Sequence, residues 1–278
     1  MFFIQIMIPR IVHQTSKTEE IPVIFQKILE KNKEVYADYD FKHWYDTDGK
    51  LCIPLFLKQE YPDIFPIFDK AKIGVQKSDI ARLAILHFYG GVYADMDIAF
   101  LKSSTDIIDH ASDFMYIAME PIEQTKMLYK TGDIPCNAFI VSPPKHPIIN
   151  QALEEIKNLY KTRGDSLFNI FNVFGNDIIT KCILTSENAK NRVKFINRDL
   201  IYPIADPKLE YLTTAQNNIQ MLKDNSYNGA YMVHYWIHSN FESADLLQKF
   251  NYNNEKSVNE NIYRFFKLLY TNHRYLKD

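Results

Sequence analysis

Residues 77–100 constrain the fold of this chain more than any other stretch. Ile80, Leu83, Ala84 and Phe88 recur at helical spacing, with Ser78 or Asp79 as candidate caps, so the first half predicts a helix. Gly90-Gly91 stops it, because a residue without a Cβ enters the left-handed region that ends helices at no steric cost. From Val92 the apolar pattern alternates. Val92, Ala94, Met96 and Ile98 share one face of a predicted strand, and Tyr93, Asp95 and Asp97 share the other.

Two carboxylates on one strand face repel, and each raises the other's pKa unless a cation neutralises them. A hard divalent ion does so directly, particularly when a diphosphate supplies further oxygens. Asp79 and Arg82 are three apart on the preceding helix and share a face, an arrangement suited to recognising and orienting hydroxyls. An Asp-x-Asp alone also fits a solvated strand edge beside a surface ion pair. The glycine pair and the Asp79/Arg82 helix in register favour the chemical reading.

The segment resembles the core motif of the DXD-containing sugar transferases of glycosyltransferase family 32 and, more distantly, the clostridial glucosylating toxins. Asp79, Arg82, Gly90, Gly91, Tyr93, Asp95 and Asp97 match an Asp-x-x-Arg helix followed by Gly-Gly-x-Tyr-x-Asp-x-Asp. The resemblance implies a GT-A type α/β fold: a Rossmann-like mixed central sheet flanked by helices, with additional helical segments, in one domain over 1–278. It implies a nucleotide-diphosphate sugar donor, UDP-sugar ahead of GDP-sugar, and a hydroxyl acceptor on a glycan or protein. It further implies Mn²⁺ or Mg²⁺ and retention of anomeric configuration. In that reading Asp97 binds the metal, Asp95 holds ribose or sugar hydroxyls and reaches the metal through water, and Asp79 and Arg82 orient the sugar.

Other segments extend the resemblance. Ile4 to His13 reads as a buried first strand that delivers His13 and Gln14 to its carboxyl end, where open α/β sheets bind ligands. Their donor role comes from the resemblance, and Ser16 stands where the family has tryptophan. Trp44, on a second strand over 39–46, reads equally as core and as a base or ribose contact. Asn137, on a strand over 136–142, reads equally as a sugar-side contact and as an amide serving loop backbone. Asn176 replaces a family proline after Gly175, and Asp177 predicts a cap for a helix over 178–184. A strand is expected over 197–203 and a loop over 208–228.

The late run Ala230 to Asn240 carries His234 and His238, either of which suits a third metal ligand, His234 first. Trp236 and Ser239 are candidate diphosphate contacts. Zinc is disfavoured because no third zinc ligand stands at sensible spacing. Residues 258–277 predict an amphipathic helix on the back of the domain, with peripheral membrane contact as the alternative.

Composition excludes some classes. A formal net charge of −2 argues against broad nucleic-acid binding. The three cysteines are widely spaced, which fits reduced thiols in a cytoplasmic or host-cytoplasmic setting, and the abundance of Asn, Lys, Ile and Tyr suggests a bacterial or viral source. The apolar N-terminus lacks a basic start and a cleavage site, so neither signal peptide nor anchor is expected. Two other classes compete with the transferase: a nucleotide-sugar binder of the same fold, and a metal-dependent hydrolase or phosphotransferase.

Overall fold

In the computed structural model the described residues are 7–130, 132–170, 173–187, 190–237 and 244–276. Strand β1 (Ile11–Ser16) leads to helix α1 (Val23–Val35) and strand β2 (Asp40–Tyr45). Short helices α2 (Ile53–Glu60) and α3 (Phe65–Lys70) precede the long α4 (Gly74–Tyr89). Strands β3 (Gly91–Ala94), β4 (Ile98–Phe100) and β5 (Met115–Met119) follow, then α5 (Ile122–Tyr129), β6 (Pro135–Ser142) and α6 (Pro147–Arg163). The remainder holds α7 (Asn176–Thr185), β7 (Val193–Ile196), α8 (Arg198–Ile201), α9 (Ala215–Asp224), β8 (Met232–His234), α10 (Ala244–Lys249) and α11 (Val258–Leu269).

Among the described residues the main sheet runs β2-β1-β3-β6-β5-β7, with β6 antiparallel to both its neighbours and the other pairs parallel. Alternation fills both faces. Tyr93, Met115, Ile117 and Ile140 join a core with α4, α6 and α7, while Val92, Ala94, Tyr116, Phe139 and Val141 join another on the opposite face. The architecture is the α/β, mixed-sheet class the sequence predicts.

Several predicted boundaries move. The first strand begins at Ile11, so His13 and Gln14 lie inside a strand paired on both sides; residues 1–6 lie outside the described set. Helix α4 begins at Gly74, which places Ser78 and Asp79 inside it and not at its cap. Phe88 is exposed rather than part of its buried face. The strand predicted over 92–100 breaks at Asp95. Ile98 N–H bonds to the Asp95 carbonyl at 3.0 Å, closing a turn of Asp95-Met96-Asp97-Ile98. Beyond it, β4 leaves the main sheet and pairs with β8. Two aspartates in four residues suit a turn better than a strand interior.

Further along, 198–201 is helical and the strand precedes it, and the predicted loop over 208–228 contains α9 with Ile219 and Leu222 buried. The last helix ends at Leu269 and starts with a Ser257/Glu260 capping box. Its apolar residues Ile262, Phe265 and Phe266 are buried, and it packs against α1 and α9. That face is therefore already used inside the molecule. No helix among the described residues is long and apolar enough to cross a membrane.

Candidate active site

The carboxyl ends of β1, β3 and β5 and the start of antiparallel β6 meet at one edge of the sheet, bringing together Gln14, Asp95, Glu120 and Asn137. The two glycines make this possible. Gly90 (φ +65°) and Gly91 (φ +98°) both lie in the left-handed region. A Cβ on Gly90 would stand 2.6 Å from the Pro144 ring, and one on Gly91 2.6 Å from the Ile11 carbonyl oxygen. The turn out of α4 thus lays β3 directly against β1.

Helix α4 is buried nearly all round, so Asp79 and Arg82 enter the site as an ion pair withdrawn from water. Arg82 Nη2 lies 3.2 Å from Asp79 Oδ1 and 3.3 Å from Asp95 Oδ1, and its guanidinium stacks over the Tyr93 ring. Nη1 donates to the Asn137 carbonyl at 2.6 Å, and Asn137 Nδ2 donates to Asp79 Oδ1 at 2.8 Å. A buried ion pair persists only when its remaining hydrogen-bonding capacity is met, and these bonds meet it. Burial raises the Asp79 carboxyl to about 6 despite the opposing pull of Arg82. For Arg82, burial acts downward but the charges of Asp95, Tyr93 and Asp79 outweigh it, and the guanidinium stays protonated.

The bond to Asn137 depends on an irregularity in the sheet. β5 pairs Ile117 with Ile140 and then Ala118 with Cys136, stepping over residues 137–139. The backbone groups this frees are taken by site residues. Arg82 donates to the Asn137 carbonyl, the Ala138 carbonyl accepts from Asp95 N–H at 2.9 Å, and Asn137 N–H donates to Asn176 Oδ1 at 2.8 Å.

Asp95, Asp97 and His234 complete the opening. One ligand atom from each lies within 4.8 Å of the others. The β4–β8 register sets Ile98 opposite His234, which brings His234 Nε2 to 3.1 Å from Asp97 Oδ1 across 137 residues of chain. Trp236 adopts φ +56°, an uncommon conformation for so large a residue, at a cost of about 1–2 kcal/mol. That turn wraps residues 235–237 around Asp97, with Ile237 N–H donating to Oδ2 at 2.7 Å and Tyr235 N–H to the Asp97 carbonyl at 3.0 Å. Burial lowers the His234 pKa, but Asp97 and Asp95 outweigh it and the net shift is upward. Two carboxylates and an imidazole that attract a proton this way also fit a divalent cation of the Mn²⁺ or Mg²⁺ type, with positions left for substrate oxygens.

The structure relocates several predicted donor contacts. His13 and Trp44 are fully or almost fully buried, with Trp44 Nε1–H donating to His13 Nδ1 at 3.1 Å. That bond fixes His13 as the Nε2–H tautomer, which donates to the Gly90 carbonyl at 3.0 Å. Burial lowers the imidazole to about 4. Trp44 packs on Phe56 and Tyr89, so it is core and offers no face to a base. His13 buttresses the glycine turn.

Gln14 is 1% exposed and holds the Asp95 carbonyl from behind at 3.4 Å. Tyr93 is buried; its hydroxyl donates to Asp95 Oδ1 at 3.0 Å and meets Thr15 Oγ1 at 2.8 Å. Trp236 donates its N–H to the Ile204 carbonyl, and its ring lies tilted against His234, centroids 4.0 Å apart. Ser16, in the position of the family's tryptophan, bonds His43 and the Thr18 carbonyl. Helix α7 begins at Asn176 after Gly175, with no side-chain cap, so Asp177 does not cap it. His238 and Ser239 lie outside the described residues.

Sequence reasoning missed Glu120. It is 5% exposed and accepts from Asn176 Nδ2 at 2.6 Å and Gln124 Nε2 at 3.4 Å, and burial raises it to about 7. The available signal was its place, immediately after an apolar strand and before Pro121, which is the strand-end position Asp95 also holds.

Residues 22–114 match a family model described as a glycosyltransferase sugar-binding region containing a DXD motif. That stretch includes Asp79, Arg82, Asp95 and Asp97. Mannosyl phosphorylinositol ceramide synthase SUR1 of Saccharomyces cerevisiae is 30% identical over 155 residues, which is 56% of this chain but only 36% of that protein. An uncharacterized glycosyltransferase, L373 of Acanthamoeba polyphaga mimivirus, is 30% identical over 203 residues, 71% of this chain and 74% of its own length. Among solved structures, PaToxG glycosyltransferase aligns over 95% of this chain and 86% of its own with a TM-score of 0.48 and 17% identity. With the motif matched and the viral relative covered over most of its length, the chain belongs to the family of glycosyltransferases whose sugar-binding region carries a DXD motif.

Proposed function

We propose that the protein transfers a hexose from a nucleotide-diphosphate sugar, UDP-sugar ahead of GDP-sugar, to an acceptor hydroxyl with retention of configuration. The convergence of Asp95, Asp97 and His234 at the open edge of the sheet carries this reading. These three would hold Mn²⁺ or Mg²⁺, which supplies charge neutralisation on the departing diphosphate. In the transfer, the bond from anomeric carbon to phosphate oxygen breaks and the bond to the acceptor oxygen forms on the same face. The acceptor proton passes to the leaving phosphate.

The chain's own residues divide the remaining work. Asp97 anchors the cation side, steadied by Ile237 N–H. Asp95, whose side chain is 28% exposed, meets the metal and the sugar or ribose hydroxyls. Asp79, Arg82 and Asn137 orient Asp95 from behind, since their direct bonds run to it and to one another. The yeast relative's name points to mannose as one sugar to try and to a lipid hydroxyl beside glycan and protein acceptors.

Nucleotide release from a panel of UDP- and GDP-sugars, with Mn²⁺, with EDTA and with Asp97→Asn, tests the proposal. Metal-dependent release from one donor, lost in the variant, is expected. Release that is unaffected by EDTA and by Asp97→Asn overturns the site. A folded protein silent on every donor leaves an unusual donor or a binding role, and thermal shifts with each nucleotide choose between them.

A further inference from the structure

We infer that Glu120 and Asn176 act as one positioning pair for the proposed transfer site, setting where Asn137, Asp79 and Arg82 stand behind the Asp95/Asp97 opening. The inference rests on the transferase reading and extends it to residues outside the matched family segment. Asn176 bridges two elements through one amide: Oδ1 accepts from Asn137 N–H, and Nδ2 donates to Glu120 Oε1. The amide orientation is forced, since a backbone N–H requires an acceptor and a carboxylate requires a donor.

Glu120 is itself anchored. Its carbonyl accepts from Arg198 Nη1 at 2.7 Å and its second oxygen from Gln124, whose Oε1 in turn accepts from Asp206 N–H at 3.1 Å. From Asn137 the chain of bonds continues to Arg82 and Asp79 and reaches Asp95. The Asn137 N–H is one that β5 steps over, so without Asn176 it would be a strand donor lacking its partner. Gly175 fits the same wall closely, since a Cβ there would stand 2.9 Å from Asp79 Oδ2 and 3.2 Å from Asn137 Nδ2.

Asn176 is the first residue of α7, a position where proline costs the helix nothing because that N–H has no intrahelical acceptor. Asn176→Pro therefore removes both bridging bonds while leaving the helix start intact, which separates positioning from folding. Supporting contacts of this kind are worth about 10–100-fold in metal affinity or activity. Loss of that order is expected in kcat/KM for Asn176→Pro and Glu120→Ala, mainly through kcat, with Mn²⁺ affinity weakened in parallel. Glu120→Gln, which keeps an oxygen for Asn176, recovers most of the loss. The double variant is no worse than the poorer single one, as befits residues acting as a unit.

The measurements are donor kinetics with the sugar found by the panel, Mn²⁺ affinity from the free-ion electron paramagnetic resonance signal, and thermal unfolding of each variant. Asn176→Pro with wild-type kcat and Mn²⁺ affinity overturns the inference, as do single effects that multiply in the double variant. Should Asn176→Pro fail to fold, the contrast between Glu120→Ala and Glu120→Gln decides, with equal losses counting against the pair. A wild type that turns over no donor sinks the transferase reading, and Mn²⁺ affinity then decides alone: weaker in Asn176→Pro sustains the pair, unchanged or absent in the wild type overturns it.

Discussion

The opening of the site and the wall behind it both contain a pair of acids, and they balance those acids differently. At the opening, Asp95 and Asp97 are met by nitrogen groups: the Arg82 guanidinium lies 3.3 Å from one and the His234 imidazole 3.1 Å from the other. In the wall, Asp79 and Glu120 also receive side-chain amides, Asn137 for the first and Asn176 and Gln124 for the second. Desolvation raises Asp79 and Glu120 to about 6 and about 7, and it raises Asp95 at the opening as well, each time against the pull of its partners. The same residue type therefore serves in two settings, an opening that faces solvent through Asp95 and a hydrogen-bonded frame behind it.

The comparison breaks most sharply at the opening. Asp97→Asn removes one charge where the diphosphate charge develops, and a fall of about 10³-fold or more in metal-dependent turnover is expected, with the fold retained by circular dichroism. Next is Arg82→Met, which leaves Asp79 and Asp95 facing each other unpaired. Removing one partner of a buried pair costs about 3–5 kcal/mol, measurable by urea unfolding, and a loss under 1 kcal/mol would refute the claim that this guanidinium joins opening to wall.

The wall gives a pH signature. Glu120 binds its proton more tightly folded, at about 7, than at its ordinary 4.5. Its stabilising contribution is complete below 4.5 and is lost as pH rises through 7. Asp79 acts with the same sign between 3.8 and about 6. His13 and His146, both lowered to about 4, act with the opposite sign. The difference between wild type and Glu120→Gln isolates the glutamate. Metal-free wild type should lose about 3 kcal/mol relative to the variant between pH 4.5 and 7.5. A flat difference would mean that Glu120 is charged throughout. The smallest effect is at the joint between the regions. Tyr93→Phe deletes the hydroxyl shared by Asp95 and Thr15 and should cost about 1 kcal/mol in urea unfolding with the pH profile unchanged.

Much of the opening was legible because its signals are local. Helical spacing up to Tyr89, two glycines, alternation from Val92 and the Asp-x-Asp all lie within one short stretch, and each follows from the conformational limits of the residues in it. His234 was legible as a candidate ligand, since imidazole near a predicted β-run is an informative residue type. Its grouping with Asp95 and Asp97 was also expected, whereas the β4–β8 pairing that sets it beside Asp97 appears in no local pattern.

Of the wall, Asp79, Arg82 and Asn137 were legible as candidate site residues, and the Glu120–Asn176 link was not. Asn176 reads in sequence as a departure from a proline, and only its contacts make it a bridge. His13 read as a donor contact through the resemblance, and Trp44 equally as core or donor contact; burial of both rings shows their packing, which no local pattern contains.

The sequence by itself determined the helix–glycine–strand unit and the two acids at its end, since these depend on backbone freedom and apolar period, and the motif they form carried the resemblance that implied the α/β class. Tertiary structure alone decided where the strand turns, which residues are desolvated and which distant side chains share a bond. Burial and long-range hydrogen bonding depend on what the rest of the chain brings into contact, and no window of sequence contains that.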